Sequence, residues 1–189
     1  MPRLTEARRE LRRAQITEAA VRCFGRSGLE RTSIADITAE SGLSTGSIYA
    51  HYRNKAELIQ ATARATLVER AEALAGYADD DHPPGPDELL ARMTAVIDPV
   101  GARFGVQIWG EATTDPVIGG IVVDMIDRLR AMVRGCVTAW LVKVEGRDPA
   151  EAGEQSGPIA HRVMALYLAE LLQAALLPTV ESRSSEGAI

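Results

Sequence analysis

The sequence of 189 residues is poor in cysteine and in aromatic residues, which are 4% of the chain. The two cysteines, Cys23 and Cys136, fit neither the ligand spacing of a metal site nor a disulfide framework. We therefore expect them to be buried free thiols in a reducing cytoplasm. The scarcity of aromatic residues argues mildly against a large aromatic cage for cationic ligands.

Long uninterrupted hydrophobic runs are also missing from the sequence. The longest apolar stretch, residues 163–177, contains Glu170 and Gln173, and it is too short and too polar to span a bilayer. The first residues lack the apolar segment of a secretory signal peptide. We expect a cytoplasmic protein without a membrane partner.

The motifs of common enzymes and metal sites are lacking too. The sequence contains no Gly-rich phosphate loop, no nucleophile elbow and no paired Cys or His at metal spacing. We therefore predict no catalytic residue, no metal site and no cofactor, and we do not expect an enzyme.

Charge is distributed unevenly, although the net charge of −5 is that of an acidic protein. Residues 1–55 carry ten Arg and Lys against six Asp and Glu, whereas residues 56–189 carry eleven against twenty. A basic head on an acidic body suggests a polyanionic partner at the N-terminal end. The alternative is a charged helix face that is merely solvated.

Helical periodicity runs through nearly the whole chain, and strand-like alternation does not appear. This predicts an all-α fold, with a three-helix helix-turn-helix domain over residues 1–55 and a C-terminal helical domain over residues 56–189. A fourth helix of about residues 54–78 links the two domains. It is followed by an acidic, proline-rich segment, residues 79–86, that we expect to be a surface loop. We expect residues 179–189 to form a disordered tail.

The C-terminal half is predicted to contain two short helices and two long ones. The short helices cover residues 87–97 and 102–114, and Asp115-Pro116 begins a long helix of about residues 117–144. Asp148 begins a short element that Gly157-Pro158 ends, and the last helix covers residues 159–177.

The last helix is apolar on most of its circumference, so it needs neighbours on every side. We predict a homodimer in which helices 117–144 and 159–177 of each subunit form a four-helix bundle. A monomeric core built around the same two helices is the alternative.

Two short helices joined by a glycine-containing turn follow the first helix. Ser33 and Asp36 form a capping box for the earlier one, and Gly42 ends it. Ser44 caps the later one, in which Ile48 is the only long apolar side chain. A helix that offers so little to a core is typical of the recognition helix of a DNA-binding helix-turn-helix.

Small and hydrogen-bonding side chains fill the rest of this region. Small residues at positions 45–47 would let the backbone approach base edges and phosphates closely. Tyr49, His51 and Tyr52 offer donors to phosphate oxygens, and Lys55 adds a cation in the first turn of the next helix.

A longer pattern surrounds these helices. Residues 32–58 read TSIADITAESGLSTGSIYAHYRNKAEL, and upstream stands Ile16-x-x-Ala19-Ala20-x-x-Cys23-Phe24-x-x-x-Gly28, with Arg12, Arg13 and Arg22 off the apolar stripe. Over about residues 8–60 the chain resembles the N-terminal domain of the TetR family of transcriptional repressors. The resemblance implies an all-helical homodimer in which each subunit presents its recognition helix to one half of a palindromic operator on double-stranded DNA. A small-molecule ligand in the C-terminal domain then releases the DNA.

The resemblance also implies roles for individual positions. Thr45, Gly46 and Ser47 match base- and backbone-contacting positions. The positions that match phosphate contacts are Ser33, Tyr49, His51 and Lys55. Ser44 and Tyr52 complete the predicted DNA-binding set, and Tyr52 departs from the Phe that is common there. Because the recognition helix has no Arg, Asn or Gln, we expect specificity to come largely from backbone fit and DNA shape.

Residues for an effector pocket are harder to select, because Met and aromatic side chains at helical spacing also serve as core filler. The candidates are Met93, Ile97, Phe104, Trp109, Met125, Leu129, His161 and Met164. We expect an unidentified effector that is medium-sized and largely apolar, and a switch transmitted through the fourth helix. A helical adaptor module is the alternative function, since it needs only the two apolar C-terminal helices.

Overall fold

Eight helices make up the secondary structure of the computed structural model, which describes residues 6–74 and 76–177. The helices are α1 (Glu6–Ser27), α2 (Ile34–Ser41), α3 (Thr45–Tyr49), α4 (Lys55–Leu74), α5 (Pro86–Ala95), α6 (Pro99–Glu111), α7 (Pro116–Lys143) and α8 (Pro149–Leu176). Within the described residues there is no strand, so the predicted all-α fold is confirmed. The predicted tail, residues 179–189, lies outside the described residues.

The chain divides into two compact units. Among the described residues, unit 1 contains residues 6–67 and 100–121, and unit 2 contains residues 68–74, 76–99 and 122–177. We predicted a boundary between residues 55 and 56. The structure instead groups most of α4, nearly all of α6 and the start of α7 with the N-terminal helices.

Helix α6 belongs to unit 1 because it packs on the C-terminal end of α1. The rings of Phe24 and Phe104 are stacked, with centroids 5.9 Å apart and planes at 16°. Gly25 allows the closest approach, since a Cβ atom there would lie 2.2 Å from the carbonyl oxygen of Val100. Both Phe side chains are almost fully buried, and together they form one side of the unit 1 core.

The side chain of Gln107 fastens the same two elements. Its Nε2 donates to the carbonyl oxygen of Phe24 (3.1 Å), and its Oε1 accepts from the backbone N–H of Leu29 (2.8 Å). One amide thus bonds to the last turn of α1 and to the loop that leads to α2. It supplies a partner to the N–H of Leu29 and a second one to the carbonyl oxygen of Phe24, which also accepts from the N–H of Gly28 (2.8 Å).

The largest departure from the sequence-based prediction is α8, which we expected to be interrupted at Gly157-Pro158. The helix is continuous, with Pro158 inside it. Proline removes one helical hydrogen bond, but the buried side of the helix does not change at this point. Ala152, Ser156 and Ala160 are at most 1% exposed. Packing along this face outweighs the local cost of the proline.

Two short helices differ from the prediction at their ends. Helix α5 begins at Pro86 and ends at Ala95, and α6 begins at Pro99, three residues before the predicted start. Both begin with a proline, which has no N–H to leave unpaired in the first turn. The start signal of α7 is confirmed, since Asp115 Oδ1 accepts from the N–H of Val117 (2.8 Å).

Other predictions concern the loop after α4 and the cysteines. Asp79 to His82 are exposed, whereas Pro83 and Pro84 are buried, so the predicted surface loop is only partly on the surface. Cys23 and Cys136 are free and buried as predicted, and burial raises the pKa of both thiols.

Candidate nucleic-acid interface

Helix α2 is held against α1 by a core contact and by an ion-pair cluster. Ile37 of α2 and Ile16 of α1 are fully buried. At the edge of this contact Arg22 Nε lies 2.6 Å from Glu40 Oε1, and Arg26 pairs with the other carboxylate oxygen. The hydrogen bonds from Arg26 and then Arg22 lower the pKa of Glu40. The pairs are partly exposed, so they orient α2 more than they stabilise it.

The predicted capping box of α2 is present. Ser33 Oγ accepts from the N–H of Asp36 (3.2 Å), and Asp36 Oδ2 accepts from the N–H (2.8 Å) and the hydroxyl (2.7 Å) of Ser33. These bonds to Ser33 lower the pKa of Asp36. Helix α2 ends at Gly42, whose φ of 68° lies in the left-handed region that favours glycine. The chain thereby turns directly into α3.

Helix α3 is anchored by its N-cap, by Ile48 and by a hydroxyl contact between Thr45 Oγ1 and Thr38 Oγ1 of α2 (3.4 Å), and much of the remaining surface is exposed. Ser44 Oγ caps it by accepting from the N–H of Ser47 (3.2 Å), and Ile48 is fully buried. Thr45 and Gly46 are exposed, and Tyr49 is 52% exposed. Its exposed face therefore carries the side chains that we predicted to contact DNA.

Gly46 stands in the middle of this exposed face. A Cβ atom at this position would meet only Ser44 Oγ, at 3.9 Å. The glycine is therefore not required by packing within the chain, and its backbone is open to a close approach from outside.

The residues after α3 divide between the core and the surface. Tyr52 is only 7% exposed, and burial raises the pKa of its hydroxyl. The structure therefore places this candidate DNA contact largely inside the domain, because its ring fills the core. Lys55 Nζ donates to the carbonyl oxygen of Glu30 (3.0 Å), which holds the ammonium group beside the loop that precedes α2.

His51 is half-buried, and its Nδ1 is shielded from solvent without a hydrogen-bond partner. Burial lowers the pKa of His51, and the charges of Arg13, Arg9 and Arg12 lower it further. These arginines of α1 therefore lie near the end of the recognition helix. Our sequence analysis placed Arg12 and Arg13 off the apolar stripe and missed this proximity. Their spacing of four and three residues from Ile16 puts them on its face of the helix.

The predicted effector-pocket residues are scattered through the fold. Those that are buried are Met93, Phe104 and Met164, those that are half-buried are Ile97, Trp109, Met125 and Leu129, and His161 is exposed. Phe104 packs in unit 1 against Phe24. None of the eight lines either of the two cavities described for this chain, both of which lie in unit 2.

The more enclosed of these cavities lies between the start of α5, α7 and α8. It has a volume of about 680 Å³, and the exposed charged residues Asp87, Glu88 and Arg162 are part of its lining. The apolar residues that line it are Pro86, Leu90, Trp140, Ile159, Val163 and Leu166. Gly85 lets the chain pass close to the indole, since a Cβ atom there would lie 3.1 Å from Trp140 Nε1. Over the described residues, no group of three or more His, Cys, Asp or Glu side chains is arranged to hold a metal ion.

Comparison with known proteins agrees with this geometry. Residues 16–62 match the family model described as "Bacterial regulatory proteins, tetR family". The Pseudomonas putida protein named "Probable HTH-type transcriptional regulator ArpR" is 37% identical over 117 residues, which are 61% of this chain and 49% of ArpR. The match thus spans about half the length of this relative.

Two solved structures share the fold over most of the chain. A protein from Pseudomonas aeruginosa PAO1, described as a transcriptional regulator, is 25% identical with a TM-score of 0.65, and the match covers 92% of this chain and 84% of that one. A protein from Saccharomonospora viridis with the same description, solved in complex with choline, is 22% identical with a TM-score of 0.66 and coverages of 87% and 85%.

Proposed function

The chain belongs to the TetR family of bacterial transcriptional regulators, and on this premise we propose that it is a repressor controlled by a small molecule. It binds a palindromic operator as a homodimer and leaves the DNA when an effector binds in the C-terminal helices. The observation that carries the proposal is α3. This helix is capped and anchored by Ile48, yet it offers Thr45, Gly46 and Tyr49 to the outside.

The hydroxyl of Tyr49 provides the first test. If it donates to a phosphate in both halves of the operator, Tyr49→Phe removes two hydrogen bonds from the complex. At about 1.5–3 kcal/mol for each bond to a charged group, the two bonds amount to about 3–6 kcal/mol, so the affinity falls by at least roughly 100-fold. Fluorescence anisotropy with the DNA upstream of the protein's own gene measures the change. Tyr77→Phe in unit 2 is the matched control and leaves the affinity unchanged.

The homodimer is supported by the apolar surface that the single chain leaves open. Helix α8 exposes Leu172 (42%) and Leu176 (66%), which are four residues apart and therefore lie on one face of the helix. Among the helices in the described parts of the chain, α8 alone is long and apolar enough to cross a membrane. Of its most apolar 18-residue segment, 33% is buried. Core helices pass the same test, so a single helix of this kind is weak support for a membrane protein. A second copy of α8 covers this surface in our proposal.

Helix α7 offers a matching surface for close packing. Ala131, Gly135 and Ala139, spaced by four residues, line an open groove of about 620 Å³. Such small side chains let a second helix approach closely. Leu172→Glu is expected to convert the dimer into monomers in analytical ultracentrifugation, because it buries two unpaired charges. Leu11→Glu, at a leucine that is 70% exposed on α1, is the control and leaves the dimer intact. A dimer that survives Leu172→Glu would contradict this interface.

The effector site that we propose is the 680 Å³ cavity beside Trp140. Its apolar walls fit a medium-sized, largely apolar molecule, and the exposed charged residues of its lining can orient a polar group. The chain has two tryptophans, so in a Trp109→Phe variant the emission reports on Trp140. An apolar effector should change this emission at the same concentration that releases the DNA.

Choline, bound by the Saccharomonospora viridis protein, is the cationic probe in the same assay. Release by choline but not by apolar compounds would contradict the effector class proposed here. Release of the DNA without any change in Trp140 emission would place the effector elsewhere.

The switch reaches the DNA-binding helices through α6 as well as through α4 in our proposal. Phe104 and Gln107 of α6 contact the C-terminal end of α1, and α2 packs against α1. An effector that shifts α6 would therefore move the recognition helix without passing through α4. A helical adaptor remains the competing function, and a stable dimer that does not bind DNA at low salt would favour it.

A further inference from the structure

The face of α1 that is apolar and buried from Ile16 onward carries arginine side chains in the first turns of the helix. Ile16 and Ala20 are fully buried on this face. Arg9, Arg12 and Arg13 stand seven, four and three residues before Ile16, so they lie on the same face. No residue from 6 to 14 is buried, because this part of α1 extends past the core. The face therefore changes from apolar to cationic where the helix leaves the domain.

Hydrogen bonds join this part of α1 to the turn of the helix-turn-helix. Arg12 Nη1 donates to Gln15 Oε1 (2.9 Å), and Gln15 Nε2 donates to the carbonyl oxygen of Ser41 (2.8 Å). Ser41 is the last residue of α2, three residues before the N-cap of α3. The guanidinium group of Arg12 is thus held one side chain away from the turn that sets the position of the recognition helix.

His51, which follows the C-terminal end of α3, is affected by the charges of the same part of α1. Burial first, and then Arg13, Arg9 and Arg12, lowers the pKa of His51. The arginines are therefore close enough to act on His51, which stands two residues after the end of α3. The segments before and after α3 thus both lie near arginines of α1.

The acidic residues nearby do not offset this charge. Residues 6–14 contain four arginines and two glutamates. The contact between Arg9 and Glu6 is 4.0 Å long and highly exposed, so it contributes little. In the C-terminal half of α1 the arrangement is different, because Arg22 and Arg26 share the carboxylate of Glu40. Of the two halves of α1, the N-terminal one therefore carries the surplus of positive charge.

We propose that Arg9, Arg12 and Arg13 form a second DNA-contacting surface, which binds backbone phosphates beside the groove that α3 enters. This inference rests on the proposed DNA-binding function and extends it to a helix outside the helix-turn-helix. Guanidinium groups bind phosphate oxygens with charge-assisted hydrogen bonds, and such contacts carry affinity and register rather than sequence. The recognition helix has no Arg, Asn or Gln, so its own side chains supply little affinity. In our proposal the arginines of α1 supply it.

The dependence of DNA affinity on salt tests the proposal. Each phosphate contact adds about 0.9 to the slope of log affinity against log salt. Arg9→Gln with Arg13→Gln removes four contacts from a homodimer, so the slope becomes shallower by about 3.6. Between 50 and 200 mM salt the variant then loses on the order of 100-fold less affinity than the wild-type protein. The probe is the duplex from upstream of the gene, measured by anisotropy at several salt concentrations.

Two further double variants show whether a change in slope comes from the loss of positive charge at these positions. Arg9→Lys with Arg13→Lys keeps the cations and should keep most of the slope. Arg64→Gln with Arg147→Gln removes the same charge at exposed positions outside this surface and should leave the slope unchanged. Thermal melting by circular dichroism checks that all variants fold, and glutamine is a good helix former.

If the slope of the Gln variant differs from the wild-type slope by less than about 0.9, the value for one phosphate contact, the proposal is overturned while the DNA-binding function stands. An equal loss of slope in the control variant would overturn it as well. If the wild-type protein does not bind the duplex even at 50 mM salt, the proposed function itself fails.

Discussion

Replacing Gly46 by alanine separates two reasons for which a glycine can occupy the exposed face of α3. If the glycine is only tolerated there, an added methyl group changes little. If it is needed for the DNA backbone to approach, the methyl group weakens the complex. The nearest atom to the new Cβ is Ser44 Oγ at 3.9 Å, so the free protein accommodates it without strain.

The two expected effects have opposite signs. Alanine restricts the unfolded chain and favours a helix, so the free energy of unfolding rises by up to about 1 kcal/mol. In the complex the methyl group enters a tight interface, where overpacking costs roughly 1–3 kcal/mol. With one such contact in each subunit, even the lower value gives about 2 kcal/mol, or roughly a 30-fold loss of affinity.

Urea denaturation and anisotropy titration measure the two quantities on the same preparation. Gly25→Ala is the contrasting variant, because its Cβ atom would lie 2.2 Å from the carbonyl oxygen of Val100. It should destabilise the protein before any effect on DNA is considered. Unchanged DNA affinity of the Gly46→Ala protein would refute the close approach at this glycine.

Two further predictions concern the elements that position α3. Gln107→Leu leaves the N–H of Leu29 without its partner, whereas the carbonyl oxygen of Phe24 keeps the bond from the N–H of Gly28 (2.8 Å), so urea denaturation should show a loss of about 1–3 kcal/mol. Gln107→Glu keeps the acceptor and should lose less; an equal loss in both would contradict this account. The pKa of Asp36 is lowered by its bonds to Ser33, so its contribution is present above the pKa of about 3.9 in the unfolded chain. That contribution is lost as the pH falls below this value, and Asp36→Asn should abolish this part of the acid sensitivity in denaturation curves.

Interactions between residues close together in the sequence were sufficient to predict the helix-turn-helix. The capping box of Ser33 and Asp36, the left-handed Gly42 and the N-cap Ser44 involve residues within three positions of their partners. Such interactions depend on chain geometry over one turn, so spacing alone identifies them. The single buried residue of α3, Ile48, is also evident from the sequence.

The cavity and the interior of α8 show where sequence reasoning stopped. The eight candidate residues were chosen as methionines and bulky apolar or ring side chains at helical spacing, and that chemistry suits a packed core as well as a pocket. Trp140 was not among them, although it lines a cavity with residues about 20 to 50 positions away along the chain. Spacing along one helix carries no information about which other helix lies opposite.

The sequence by itself determined the all-helical character of the chain, the ends of most helices and the identity of the DNA-binding motif. These depend on interactions between near neighbours and on periodicity along one helix. Only the tertiary structure decided that α8 continues through Pro158, that Gln107 joins α6 to α1, and that the charges of Arg9, Arg12 and Arg13 act on His51. In each of these cases residues distant in the sequence meet, and their packing or charge outweighs or adds to what the local pattern indicates.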